Sequence, residues 1–392
     1  MIAVPEQVKS ILTRLNAAGF AAYAVGGCVR DSLLGRPVHD WDICTAARPE
    51  EMPGCFAGER LLPTGVQHGT MTLLQNGEPF EITTFRCDGD YTDHRRPDSV
   101  RFVRELELDL ARRDFTVNAM ACDAAGRVFD PFGGQNDLRN GVLRCVGEPQ
   151  KRLNEDALRI LRALRFAANY NFKIEPATAK AMVELKDTLC RVSAERILQE
   201  LRRLLPAAAA GRVLEEFYPV VWVFLPELPE NFALRQAFAC CPAEETLRFA
   251  LLLSPLARED SESALRRLRA ENALCRGVGE VLELLSLPLP EDLPALKRQA
   301  ARFGPATLRT ALQVRQAKGE DTTALLERLQ QLEEENACLS VKQLAVNGRE
   351  LLSLGFTGKE IGAVQQFLLN AVLEGAKNEK EVLLTLAAEY KK

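Results

Sequence analysis

The stretch PVHDWDICTAA, residues 37–47, sets two carboxylates, Asp40 and Asp42, on either side of a tryptophan. Read as a strand, alternate side chains share a face. Asp40 and Asp42 then project together, while Trp41 and Ile43 face the other way. Paired carboxylates repel each other and resist burial, so they need a cation between them or water around them. Mg²⁺ prefers carboxylate oxygens in an octahedral shell and keeps several waters. Two such ions about 4 Å apart can activate an attacking hydroxyl and stabilise a leaving pyrophosphate. Glu81, in PFEITTFR, is a possible third carboxylate from a neighbouring strand. A solvated pair at a strand end would satisfy the same residues without chemistry.

Three further constellations accompany the pair. In AVGGCVRDSLLG a strand-like run meets Gly26 and Gly27 and turns into a helix. Glycine lets backbone approach a ligand closely, and a helix N-terminus offers free N–H groups. That suits a triphosphate, with Arg30 as counter-charge; a plain turn explains the glycines equally. In RRDFTVNAM, Arg112 and Arg113 can neutralise phosphates, and Asp114 and Asn118 can hydrogen-bond ribose hydroxyls. A salt-bridged turn is the simpler reading. In RLNEDALRILRALRFAA, Asn154 is placed to cap a helix, with Glu155 and Asp156 complementing its dipole. Asp156 and Arg159 fall at i and i+3 on one face of that helix. Arg159, Arg162 and Arg165 form a basic stripe beside the apolar Ile160, Leu161 and Leu164.

The elements that must position these groups fall into two textures. Residues 1–145 are mixed: VKSILTRLNAAGF reads as an amphipathic helix ending at Gly19, and VRDSLLG as a short helix stopped by Gly35. AAYAV, HDWDICTA, GTMTLLQ, FEITTFR and SVRFVRE read as strands. From about residue 150, Leu, Ala, Arg and Glu recur at helical spacing and strand signals vanish. Proline-bearing breaks fall at 224–231 and 287–294, residues 320–336 read as an acidic solvated helix, and Thr357–Glu360 has capping-box spacing. The fold class is α+β, a mixed head with a small sheet followed by a long helical remainder.

The bulk figures are consistent with that plan. The chain has 392 residues, 47% hydrophobic and 27% charged, with net charge −4. Any phosphate-binding surface must therefore be a local basic patch. Eleven cysteines without a CxxC pair, and no secretory segment, point to reduced thiols in the cytoplasm. No apolar run approaches the roughly 18 residues a membrane span needs.

GGCVRD, HDWDICTAA, HGTMTL, FEITTFR, RRDFTVNAMA, DPFGGQNDL, RLNEDALRILRALRFAA and RVSAERILQEL occur in the order found in the tRNA nucleotidyltransferase/poly(A) polymerase family. The chain resembles its bacterial class II CCA-adding branch, densely over about the first 205 residues and more faintly at LAVNGRELLSLGFTGKEIG. The resemblance implies a catalytic nucleotidyltransferase head (1–145), a helical neck that recognises the base (146–206), a helical body (207–295) and a tail that binds tRNA (296–392). It implies Mg²⁺ on Asp40 and Asp42. Gly27, Arg30, Arg113, Asp114, Asn118, Arg162 and Arg165 would contact the nucleotide. Glu155, Asp156 and Arg159 match the neck EDxxR motif that selects the base. Loop 87–99 resembles the family's flexible loop needed for the final A, DPFGG its head–neck hinge, and Lys359 lies where the tail meets the tRNA elbow.

Physical chemistry makes the base selection sensible. Cytosine and adenine both present an exocyclic amine donor beside a ring-nitrogen acceptor. Aspartate only accepts and arginine only donates, so Asp156 with Arg159 suits either base. Uracil and guanine reverse the pattern, and each buried unpaired group costs about 1–3 kcal/mol. The expected activity is therefore template-independent addition of CCA to the tRNA 3′ end from CTP and ATP. An A-adding or poly(A) relative, and a non-catalytic RNA-binding protein on the same scaffold, are the rival readings.

Overall fold

Val8, Ile11, Leu12 and Leu15 recur at helical spacing and form one fully buried stripe of α1 (Glu6–Ala17). They belong to a computed structural model that describes residues 1–89, 99–230 and 233–391. It divides into two compact units, Met1–Pro226 and Glu227–Lys392.

In the first unit α1 gives way, past Gly19 at φ +87°, to β1 (Ala22–Val25). There follow α2 (Gly27–Leu33), β2 (Ile43–Thr45), α3 (Met52–Cys55), β3 (Arg60–Gly65), β4 (Thr70–Gln75) and β5 (Glu78–Thr84). Next come β6 (Arg86–Asp88), β7 (Val100–Phe102), α4 (Leu106–Ala111), β8 (Ala121–Cys122), β9 (Val128–Phe129), α5 (Gly134–Asn140) and β10 (Val142–Leu143). Seven strands form one sheet in the order β3-β4-β5-β2-β1-β8-β9. β1 runs antiparallel to β2, and β2 parallel to β5 with Ile43 opposite Ile82. Val25, Cys44, Phe85, Leu110, Ala121 and Val146 pack into a core cluster of this unit.

The helical run then comprises α6 (Pro149–Glu155), α7 (Leu158–Tyr170), α8 (Pro176–Glu184), α9 (Ala194–Leu204), α10 (Ala210–Glu216) and α11 (Tyr218–Phe224). Strand signals do not vanish at 150: β11 (Lys173–Ile174) pairs in parallel with β10. Two residues are too few to leave a period-2 pattern. RLLPTG, apolar but broken by a proline, forms β3 at the edge of the sheet, where a missing N–H is tolerated.

The second unit is helical, with no strand among its described residues. The acidic stretch forms Thr323–Glu334. The capping box expected at Thr357 is half made: the Thr357 amide donates to Glu360 (3.0 Å), but the N-cap of helix Lys359–Leu373 is Gly358, without a side-chain bond. The complete box stands at Asn347 and Glu350, ahead of Gly348–Ser353. The loop expected to govern the final A lies outside the described residues over positions 90–98.

Candidate active site

Asp40 and Asp42 precede β2 rather than lying in it, because pairing between side-by-side strands begins at Ile43. The strict alternation expected for a strand therefore fails: Trp41 opens onto the same cleft as both aspartates, while Ile43 is buried. Position 42 is still fixed, since the Val25 amide donates to the Asp42 carbonyl (2.9 Å). The cleft, about 650 Å³, is also lined by His39, Thr72 and Glu81. Asp42 and Glu81 each stand one residue before the Ile43–Ile82 pair, Asp42 just ahead of β2 and Glu81 within β5. All three carboxylates are exposed.

The oxygens of Asp42 reach water, yet the protein around them pushes its carboxyl above the ordinary range. Arg113 opposes that rise and Asp40 adds to it. Below it, burial and the Asp42 charge push the Cys28 thiol up to about 12, so it is no nucleophile. Two close carboxylates short of positive charge fit a divalent cation. No three His, Cys, Asp or Glu side chains converge on a metal position among the described residues. Ligands beyond the pair would have to come from water or substrate.

Gly26, at φ +80°, joins β1 to α2 and passes so close to Arg113 that an added Cβ would lie 3.1 Å from Nη1. Arg113 is aimed by a residue the sequence reading missed. Asp109, fully buried, accepts from Arg112 (2.8 and 3.0 Å), Arg113 (3.2 Å) and the Arg86 amide (3.3 Å). Burial alone would raise its carboxyl, but Arg112 and Arg113 outweigh that and hold it low. The signal was present as an acid three and four residues before two arginines in LELDLARRD.

Asp114 and Asn118 come together as expected, in a buried network. Asp114 Oδ1 accepts from its neighbour's amide at Phe115 (2.8 Å) and from Asn118 (3.0 Å). Its Oδ2 accepts from Arg162. Asn118 in turn accepts from Arg30. Arg30 is 6% exposed, holds Asp31 through two bonds (3.0 and 2.8 Å), and lies over the rings of Phe166 and Tyr170. It thus joins α2 to α7.

The neck motif departs most from its local reading. Asn154 is inside α6 and is not the N-cap of either helix; α6 ends at Glu155, Asp156 is extended (φ −140°, ψ 107°), and α7 begins at Leu158. Asp156 and Arg159 therefore do not share a helical face at i and i+3. Asp156 instead accepts from the Leu158 amide (3.0 Å) and from Arg196 of α9 (3.3 Å). Arg159 donates to Glu155 (2.6 Å), the Arg152 carbonyl (2.7 Å) and the Arg112 carbonyl (3.3 Å). The basic stripe is paired along its length: Arg162 with Asp114, and Arg165 with the buried Glu200 (2.8 Å). Lys359, exposed, heads its helix in the second unit.

A small sheet with paired aspartates at the entry to one strand, joined to helices with an Asp–Arg turn between them, is the arrangement of a nucleotidyltransferase head with a helical extension. The family model described as the poly A polymerase head domain matches residues 22–144. Models described as a probable RNA and SrmB-binding site of polymerase A and as a putative tRNA nucleotidyltransferase domain 2 match 171–218 and 242–387. The CCA-adding enzyme of Streptococcus gordonii is 37% identical over 98% of this chain and 98% of its own length. That of Geobacillus thermodenitrificans is 38% identical over 96% and 95%. The crystal structure of the Bacillus stearothermophilus CCA-adding enzyme in complex with CTP superposes with a TM-score of 0.80 at 32% identity, covering 98% and 97%. The fold is also that of the Thermotoga maritima CCA-adding enzyme complexed with tRNA (TM-score 0.70, 23% identity, covering 99% and 97%). The chain belongs to the CCA-adding enzymes of the tRNA nucleotidyltransferase/poly(A) polymerase family. Nucleotidyl transfer in this family uses a divalent cation. No helix among the described residues is long and apolar enough to cross a membrane.

Proposed function

We propose that this chain adds CCA to the 3′ end of tRNA from CTP and ATP, without a template, releasing pyrophosphate. The observation that carries it is the tie between head and neck. Asp114 holds Arg162, and the Arg112 carbonyl accepts from Arg159, which sets the base-reading turn against the ribose-reading segment.

Asp40 and Asp42 would hold Mg²⁺, with Glu81 lining the same cleft. Bound there, the ion would lower the charge barrier to attack by the tRNA 3′ hydroxyl and to pyrophosphate departure. Arg113, aimed by Asp109, faces the triphosphate beside Gly27. Asp114 and Asn118 mark the ribose position. Asp156 accepts from the exocyclic amine of C or A, and Arg159, held by Glu155, donates to the ring nitrogen. Arg30, Arg162 and Arg165, each engaged by an acid or amide, hold the walls of the nucleotide pocket.

We assign the head to 1–145, the neck to 146–206, the body to 207–295 and the tail to 296–392, with Lys359 on the tRNA elbow. The body so drawn spans the structural division at Pro226. Eleven free thiols support a cytoplasmic site of action.

The test is incubation with Mg²⁺ and labelled tRNA ending at the discriminator base. CTP alone should add two nucleotides, CTP with ATP three, and UTP with GTP none. No gain with CTP but one A on tRNA already ending in CC would mean an A-adding enzyme. Long A tails would mean a poly(A) polymerase, and no incorporation a binding protein.

A further inference from the structure

We infer that Arg152 is a positioning residue for base selection, acting through Arg159; the inference rests on the base-reading role proposed for Arg159. Its guanidinium spans the junction of the proposed head and neck. It donates to the Ala111 carbonyl (2.6 Å), the Arg112 carbonyl (3.2 Å), the Val146 carbonyl (3.2 Å) and Glu155 Oε2 (2.6 Å).

Two of those acceptors also serve Arg159: Glu155 Oε2 at 2.6 Å and the Arg112 carbonyl at 3.3 Å. The third acceptor of Arg159 is the carbonyl of Arg152 itself, at 2.7 Å. Each of these three bonds of Arg159 therefore ends on an atom that Arg152 supplies or holds. The side chains of Arg152, Glu155 and Arg159 are 13%, 16% and 11% exposed, so water competes weakly for these bonds.

The division of Glu155 between two arginines has a consequence. With Arg152 present, the Glu155 carboxylate is shared, and its pull on Arg159 is divided. Without the Arg152 guanidinium, Glu155 has one partner and draws Arg159 toward itself. The Ala111 carbonyl loses this anchor at the same time, and the Arg112 carbonyl, which leads directly into Arg113 and Asp114, keeps only its bond from Arg159 of the two described. A guanidinium can reach these acceptors at once because its donors are fixed in a planar fork; a lysine ammonium on the same stem cannot bridge them.

The experiment compares the full-length protein with Arg152→Met and Arg152→Lys, using tRNA ending at the discriminator base. KM and kcat are measured for CTP and for UTP, with melting temperature and equilibrium binding of labelled CTP in the absence of tRNA. Arg152→Met should raise the CTP KM and weaken CTP binding about tenfold, lower kcat less, and narrow the preference for CTP over UTP. Arg152→Lys should recover part of both losses. Wild-type KM and selectivity in Arg152→Met would overturn the inference. So would a lower melting temperature and kcat with selectivity intact, which mark a merely structural role. If Arg152→Met does not fold, Arg152→Lys decides: selectivity equal to the original protein overturns the inference. Failure of the unaltered protein to incorporate C would instead overturn the reading of the site.

Discussion

Arg162 reaches across 48 residues of chain to place both Nε (2.8 Å) and Nη2 (2.5 Å) on a single oxygen of Asp114, Oδ2. One carboxylate of the segment after α4 is thereby pinned by one guanidinium of α7. Burial alone would raise the Asp114 carboxyl, but Arg162 and Asn118 hold it at about 2. A carboxyl lower when folded than unfolded adds stability that is complete above its unfolded value, 3.8, and is lost as pH falls through its folded value. Stability should thus decline by about 2 kcal/mol between these pH values. Urea unfolding across that window should show the decline in the original protein and a flatter profile in Asp114→Asn. Equal slopes would remove Asp114 as the source.

Asp42→Ala should reduce incorporation of both CTP and ATP by on the order of a thousandfold, since several kcal/mol of charge stabilisation leave with the carboxylate. tRNA retention on a filter should change little. Binding of Mn²⁺, followed by its paramagnetic signal, should weaken in parallel. Substantial activity in the variant would move the cation elsewhere.

Asp156→Asn replaces an acceptor-only group with one that can also donate. Uracil, which presents a carbonyl where cytosine presents an amine, should then be tolerated. The ratio of kcat/KM for CTP over UTP should fall about 10- to 100-fold, the size of one unpaired buried group. An unchanged ratio would show that another residue reads the base.

Arg196→Ala removes the α9 partner of Asp156 while leaving its bond to the Leu158 amide. The CTP and ATP KM values should rise together, by a few-fold, as Asp156 gains freedom. A change confined to one nucleotide would argue against a shared acceptor.

Gly26→Ala meets a backbone at φ +80° and, with its Cβ, the Arg113 guanidinium at 3.1 Å. It should cost about 1–3 kcal/mol of stability, read by thermal unfolding. It should also raise the KM for both nucleotides, because the side chain it displaces is the one proposed to face the phosphates.

What the sequence by itself determined was what short-range physics encodes. The stripe Val8, Ile11, Leu12 and Leu15 announced α1, and Gly26–Gly27 announced the turn into α2. The carboxylates at 40, 42 and 81 were visible as residue types, and the order of the motifs carried the family. Only the tertiary structure decided the partners. Periodicity drew one helix through NEDALR, but Asp156 is extended because its carboxylate is claimed by the Leu158 amide and by Arg196, forty residues away. Arg30 read as a counter-charge and Arg162 as part of a basic stripe, and the fold closed both into networks with Asn118, Asp31 and Asp114. A charge declares itself in the sequence; what neutralises it is chosen by contacts between distant segments, which local spacing does not encode.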